Sequence, residues 1–266
     1  MSQQLNATLS GQAPAALAED VSLATPLTAP RITGRDAVSA TLGTYQQALA
    51  APEATLRLKG DQVEGIVYSA SPDGRPTEIV ALARFDAAGL ITTIDAYGRP
   101  WPFMALLRET IAKTDPALAD PDLGTGPYAP EGPSPVWVAH PHVPPLAQDV
   151  ILYSPILSEE PTGKAVVGPV LKAAAQSFSD LKVRTVLDVE GRSAFAVVID
   201  EFVDGHVQQL VEIFTLDEAG DVAEIRIFTR PWRVTAHFRQ RMYTLLKDLL
   251  GPEFWEGPDP QNPLPQ

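Results

Sequence analysis

LAEDVSLATPLTAPRITGRDAVSATL, residues Leu17–Leu42, returns further along the chain as LAQDVILYSPILSEEPTGKAVVGPVL, residues Leu146–Leu171. One constant offset aligns Leu17 with Leu146, Asp20 with Asp149, Val21 with Val150, Leu23 with Leu152 and Pro26 with Pro155. It also aligns Thr33 with Thr162, Gly34 with Gly163, Val38 with Val167 and Leu42 with Leu171. Two residues of slippage later the match resumes. Asp73-Gly74 meets Asp204-Gly205, Asp86 to Gly89 meets Asp217 to Gly220, and Arg99-Pro100-Trp101 meets Arg230-Pro231-Trp232. A period of roughly 130 residues is a domain length and too long for a solenoid repeat. The chain therefore reads as two related domains in tandem, and differences between the copies serve as an internal comparison.

Composition bounds the function. The chain has 266 residues, enough for two domains that each bury a core. A net charge of −13 opposes a nucleic-acid or anionic-membrane partner, since both recruit clustered Lys and Arg. There is no cysteine, hence no disulfide and no thiolate chemistry. Residues 1–15 carry no basic residue and no long apolar core, so no signal peptide is expected there. No apolar run reaches membrane-spanning length. The expectation is an acidic cytoplasmic protein without a cofactor; no phosphate loop, nucleophile elbow or metal motif is present.

Proline marks the joints. Of 26 prolines, nine fall in Asp115–Pro145 and five in Gly251–Gln266, so the first stretch reads as a linker and the second as a tail. The expected organisation is a first domain over 16–114, a linker over 115–145, a second domain over 146–250 and a tail over 251–266. Each copy opens with a short strand (Val21–Thr25; Val150–Ser154) and then a helix (Gly34–Leu49; Gly163–Phe178). Four extended runs follow: Thr55–Lys59, Gln62–Ser69, Thr77–Phe85 and Leu90–Gly98 in the first copy, Lys182–Val189, Ala194–Val203, Val207–Leu216 and Val222–Thr229 in the second. Turn residues such as Asp204-Gly205 separate them. A helix follows each Arg-Pro-Trp. In the second, Phe238, Met242, Leu245, Leu246 and Leu249 share a face. In the first, Met104, Leu107 and Ile111 are expected to cover the sheet. The fold class is α+β: two cones, each a curved antiparallel meander packed on helices.

A strand ending in X-Pro, a glycine eight residues later opening a helix, then a bent meander: this pattern resembles the nuclear-transport-factor-2-like superfamily. That superfamily includes SnoaL-like cyclases, ketosteroid isomerases and limonene epoxide hydrolase. The resemblance implies a sheet wrapped around helices and enclosing an apolar pocket; it does not imply one activity. The segments Leu152–Gly163 and Leu210–Arg230 are similar to ketosteroid isomerase. In that enzyme a carboxylate base precedes the proline, where this chain has Ser154 and Thr25. An oxyanion-stabilising carboxylic acid aligns with Glu212 in the second copy and with Ala81 in the first. No residue matches the enzyme's tyrosine donor, so ketosteroid isomerisation is not expected. The Asp-Arg-Asp set of limonene epoxide hydrolase has no counterpart either.

Strand alternation sorts the remaining candidates. If Glu212 points into the cone, so do Gln208, Leu210 and Phe214, with Ile225 and Ile227 on the neighbouring strand and Tyr153 and Ser154 at the cone's edge. The first copy offers Thr77, Ile79, Ala81 and Ala83, with no ionisable group, and is expected to be filled or inert. Glu212 is thus the candidate catalytic or ligand-facing residue, with an ion-paired position at the rim as the structural alternative. Outward residues Val80, Leu82 and Tyr97, with Val211, Ile213 and Phe228, are expected to form a seam that makes the chain an intramolecular pseudo-dimer. His140 and His142 lack a third ligand for a metal. Three functions remain open. The chain binds a small apolar ligand in the second cone, it is an isomerase, cyclase or lyase using Glu212, or it is an interaction scaffold with both cones filled.

Overall fold

A computed structural model describes residues 16–71, 74, 76–119 and 137–257. Residues 1–15, most of the proline-rich linker and the end of the tail lie outside the described residues, as does Asp73.

Each copy begins with an edge strand, β1 (Leu17–Ala24) or β7 (Leu146–Tyr153), starting four residues earlier than the apolar pattern alone predicts. The extra length is held by parallel pairing to the last strand of the same copy, Leu17 opposite Ile91 and Leu146 opposite Val222. The sheets are thus antiparallel meanders with a parallel edge strand added. Gly34 and Gly163 explain why one glycine recurs before each first helix. Their φ angles are +93° and +86°, which a side chain rarely tolerates. Their amides donate to the carbonyls of Val21 and Val150 at 2.9 and 2.8 Å. Helix α1 (Arg35–Leu49) follows in the first copy, after the short strand β2 (Ile32–Thr33).

The first meander is β3 (Glu53–Lys59), β4 (Val63–Ala70), β5 (Thr77–Phe85) and β6 (Ile91–Arg99), followed by α2 (Trp101–Thr114) and the short α3 (Pro116–Ala119). The second copy repeats the plan: α4 (Lys164–Ala175), β8 (Ser179–Val189), β9 (Ala194–Val203), β10 (His206–Leu216), β11 (Val222–Arg230) and α5 (Trp232–Leu246). A 3-10 turn, Pro252–Trp255, ends the described chain.

The two meanders join edge to edge. The strand order runs β6-β5-β4-β3-β8-β9-β10-β11, and β11 pairs back to β6, so eight strands close into a barrel. Its interior is a single apolar cluster that includes Val80, Leu82 and Tyr97 from one copy and Val211, Ile213 and Phe228 from the other. Closure leaves neither meander with an unpaired inner edge. Equivalent residues face each other across the join: Leu58 pairs with Val189, Gly98 with Thr229, and the rings of Trp101 and Trp232 stack at 3.8 Å. Such self-facing contacts are the signature of an isologous, two-fold arrangement.

The two arginines that precede these prolines also cross the join. Arg230, almost fully buried, donates to the carbonyls of Thr25 and Thr28 at 3.0 Å and to the Gln209 side chain. Arg99 pairs with Glu78 and reaches Glu160 of the other copy at 3.5 Å. The outer face of each meander is the concave one, and its own helices cover it. Met104, Leu107 and Ile111 of α2 pack with Tyr45 and Leu49 of α1. Val234, Phe238, Met242 and Leu246 of α5 pack with α4 and β10. Leu245 and Leu249 do not join them: α5 ends at Leu246 and both leucines are about half exposed, at 51% and 47%.

Candidate functional site

The second cone encloses a cavity of ≈ 110 Å³. Alternation along β9, β10 and β11 supplies its floor, where Glu212 pairs across the ladder with Ile227 and with Val197. Helix α4 lends Val170, Leu171 and Ala174 to one wall, and α5 lends Phe238, Met242 and Leu246 to another. Leu171, Ala174, Ala175 and Phe178 are all partly or fully exposed, which puts the mouth at the C-terminal end of α4. Arg239, buried on α5, fixes the rim opposite by donating to the carbonyls of Ile156 at 2.9 Å and Trp255 at 2.8 Å.

Two carboxyl groups face this apolar space. Glu212 lies where strand alternation places it, half-buried on the cavity floor. Glu201 lies beside it on β9, only 3% exposed, and its strand position is opposite Gln208. Among the described residues, neither carboxyl has a hydrogen-bond or ion-pair partner. Burial raises the Glu212 pKa from 4.5 to about 7. Burial, reinforced by the charge of Glu212, raises Glu201 well above the usual carboxylate range. Burial and mutual repulsion thus disfavour carrying both negative charges at once.

A short polar chain runs behind the carboxyls. The Gln208 amide donates to Thr235 Oγ1 at 3.1 Å, and the Thr235 hydroxyl lies 3.0 Å from Thr229 Oγ1. The other end of the amide, Gln208 Oε1, is buried without a partner. Such an orphan acceptor forgoes about 1–3 kcal/mol.

The remaining candidates divide by depth and by face. Ser154, Leu210 and Ile227 line the cavity. The Ser154 hydroxyl accepts the Ile156 amide at 3.2 Å, a local turn bond, and Thr25 does the same for Thr28 at 2.9 Å. Phe214 and Ile225 have the right face but sit at the packed end of the cone, where Phe214 stacks on Phe195 at 5.1 Å. Gln208 is wholly buried behind the lining. Tyr153 points the other way: neighbours on a strand face opposite sides, and with Ser154 inside, the Tyr153 ring lies under Arg226 (4.0 Å) and Arg99 (5.1 Å). His237 and Arg241 both bind Asp204 at the β9–β10 turn and are not part of the cavity lining. No cluster of three or more metal-ligating side chains occurs among the described residues.

The first cone is not filled. It holds a cavity of ≈ 50 Å³ bounded by residues such as Leu23, Leu42, Ile79, Ala81 and Ile94. Ala81 stands where the second cone has Glu212, and Ala70 stands where it has Glu201. Thr77, the first copy's match for Gln208, is turned to the Arg99 carbonyl at 3.0 Å. Its polar lining is Thr25, Gln46, Tyr45 on α1 and Tyr68 on β4, and burial keeps both tyrosine hydroxyls protonated. Strand alternation around Ala81 alone could not find either tyrosine.

No family model and no curated protein matches this chain. Solved structures similar to it include three that each align with less than half of its length. An uncharacterised protein with a cystatin-like fold from Silicibacter pomeroyi DSS-3 is 22% identical over 42% of this chain and 82% of its own, at a TM-score of 0.40. A steroid delta-isomerase from Pseudomonas aeruginosa is 22% identical over 42% of this chain and 83% of its own, at 0.38. An NTF-2 like protein of unknown function from Burkholderia xenovorans LB400 is 24% identical over 38% and 84%, at 0.33. No helix of the described residues is long and apolar enough to cross a membrane.

Proposed function

We propose that this chain binds a small, largely apolar molecule in the cavity of the second cone, with the ligand's polar end toward Glu201 and Glu212. The observation that carries this reading is the pair of carboxyls without partners on the wall of an otherwise apolar cavity. An inward carboxyl destabilises a fold unless it gains a partner, a proton or a function. An apolar pocket with a few convergent polar groups is the usual form of a small-molecule site. The volume is somewhat below the ~150 Å³ that admits a benzene, so a short branched chain fits whole and a single ring fits with its outer edge in the mouth beside α4. Cavities in both cones count against a scaffold with both interiors filled. The same reading divides the chain into domains 16–114 and 146–250 and treats their join as a dimer contact made within one chain. Titration calorimetry with cyclohexanol and cyclohexanone tests it. Binding is expected, and Leu210→Trp, which fills the cavity, abolishes it. Binding that survives this block, or no binding by any such probe, overturns the proposal.

A second reading is an acid–base enzyme of the isomerase, cyclase or lyase type. One observation favours it: two carboxyls share one cavity, and burial raises both, Glu212 to about 7 and Glu201 well above its ordinary value. That is the arrangement a base and a hydrogen-bond donor need near neutral pH. Glu212 would take a proton from carbon, and protonated Glu201 would donate to the developing oxyanion. Deuterium exchange at the carbons beside the carbonyl of cyclohexanone, followed by NMR, checks it. Exchange no faster than in buffer, or equal in Glu212→Gln, removes this reading.

A further inference from the structure

We infer that the ligand of the second cone is a small hydrophobic amine, held as its ammonium by Glu201 and Glu212 with its hydrocarbon part against Phe178, Phe238 and Leu210. The inference rests on the binding reading above and names its ligand class.

The ionisable groups that the cavity offers to a polar end are both carboxyls; its two hydroxyls are engaged, Ser154 by the Ile156 amide and Thr229 by Thr235. Glu201 is more than nine-tenths buried, faces the cavity, and has no partner of its own. A carbonyl ligand satisfies a protonated carboxyl but leaves an ionised neighbour facing an acceptor. An alcohol has a single hydrogen to share. An ammonium is donor-only, with hydrogens for both carboxyls at once, and its bonds to them are charge-assisted. Burial disfavours negative charge on both carboxyls, and a bound cation relieves that penalty.

The surroundings leave that charge for the ligand. From β9, β10 and β11 the titratable groups facing the cavity are Glu201 and Glu212 alone. β7 and its following turn contribute Ser154, which is neutral. Lys172 of α4 is exposed. On α5, Arg239 is bonded to backbone carbonyls of Ile156, Trp255 and Glu256. Arg184 of β8 is committed to Asp200, with bonds of 2.7 Å. Two carboxylates leave a hard metal ion to complete a shell of about six oxygens with several waters, for which a mostly apolar cavity of ≈ 110 Å³ has little room. Phe178 and Phe238 supply apolar surface for the hydrocarbon part of the ligand.

The test is titration calorimetry on the full chain with cyclohexylamine and cyclohexanol, which share a ring and differ in the polar group. At about pH 8 the amine is expected to bind at least about tenfold more tightly than the alcohol. That advantage disappears toward about pH 5, where both carboxyls are protonated. Glu201→Gln and Glu212→Gln each lower amine affinity about tenfold and leave the alcohol within about threefold. Circular dichroism confirms folding. If Glu201→Gln does not fold, Glu212→Gln, at the more open position, carries the test. An alcohol that binds as tightly as the amine overturns this inference and leaves the binding reading intact. Amine affinity unmoved by the Gln variants also overturns it, because the cation then sits elsewhere. Absence of binding by both probes takes down the binding reading as well.

Discussion

At matched positions of the two concave sheets, Glu201 and Glu212 of the second cone stand where the first has Ala70 and Ala81. Behind them, Gln208, Thr229 and Thr235 form a hydrogen-bonded chain where the first cone has Thr77, Gly98 and Met104. Gly98 leaves the space that Met104 fills: a Cβ there would come within 2.3 Å of the Met104 sulfur. One scaffold thus carries two interiors. In the first, Met104 fills the space beside Gly98, and the polar groups of the lining are hydroxyls and an amide that stay neutral. The second carries two carboxyls whose pKa values burial raises, that of Glu212 to about 7. The fold sets where the cavities lie, and a handful of matched substitutions decides what chemistry each can hold.

The comparison assumes that both cones hang on one shared barrel, and Phe228→Ala is the severest way to break it. Phe228 is fully buried in the barrel interior, so its truncation is expected to cost about 3–5 kcal/mol. Hydrogen exchange should then lose protection in β4–β6 as well as in β9–β11. Loss confined to the second half would show that the halves stand independently.

The carboxyl difference is sharpened by moving it. A carboxyl with a raised pKa binds its proton more tightly in the folded state. Its presence therefore lowers stability as pH rises from about 4.5 through 7, with the full deficit above that. Glu212→Gln should be more stable than the parent at about pH 8, by on the order of 3 kcal/mol, and equal to it at about pH 4. Ala81→Glu should do the reverse in the first cone, losing a similar amount at about pH 8 and little at about pH 4. Urea midpoints across pH read both. A pH profile for Glu212→Gln that runs parallel to the parent's would mean that Glu212 does not titrate as described.

The smallest effect concerns the polar chain. Thr235→Val keeps the shape and removes the hydroxyl that links Gln208 and Thr229, at an expected cost of about 1 kcal/mol. The matched change at Met104 to Leu should cost a similar amount or less, through packing alone. If Thr235→Val is silent in thermal melts, the second cone's polar chain is not holding its wall.

Much of this was legible in the chain itself. The duplicated Thr-Gly, Asp-Gly and Arg-Pro-Trp segments mark backbone features that side-chain exchange cannot replace, so they survive in both copies and expose the α+β plan. Period-two alternation put Glu212 on the concave side. It did not reveal Glu201, because Ala194–Val203 reads as a nearly continuous apolar run and its register against β10 is set by a turn. Extending the offset of the Arg-Pro-Trp match to that strand would have set Glu201 against Ala70 and marked it as the second difference. Tyr153 was placed beside Ser154 by adjacency, which alternation forbids. The two tyrosines of the first cone come from α1 and from β4, the neighbour of β5, and only the packing of helix on sheet brings them to one cavity. The depth that separates Phe214 from Leu210 is likewise a property of the closed cone and not of either strand.

The self-facing pairs Trp101–Trp232, Leu58–Val189 and Gly98–Thr229 have a consequence in stoichiometry. Between two separate copies of one chain, a contact of this symmetry depends on concentration, and every substitution enters it twice. Within one chain the partner is always present and the join does not dilute apart. Each position exists in two separately editable versions, so a glycine can face a threonine across the axis. Unpartnered carboxyls in both cones would double the instability at alkaline pH; this chain carries that burden in one interior and keeps the other neutral.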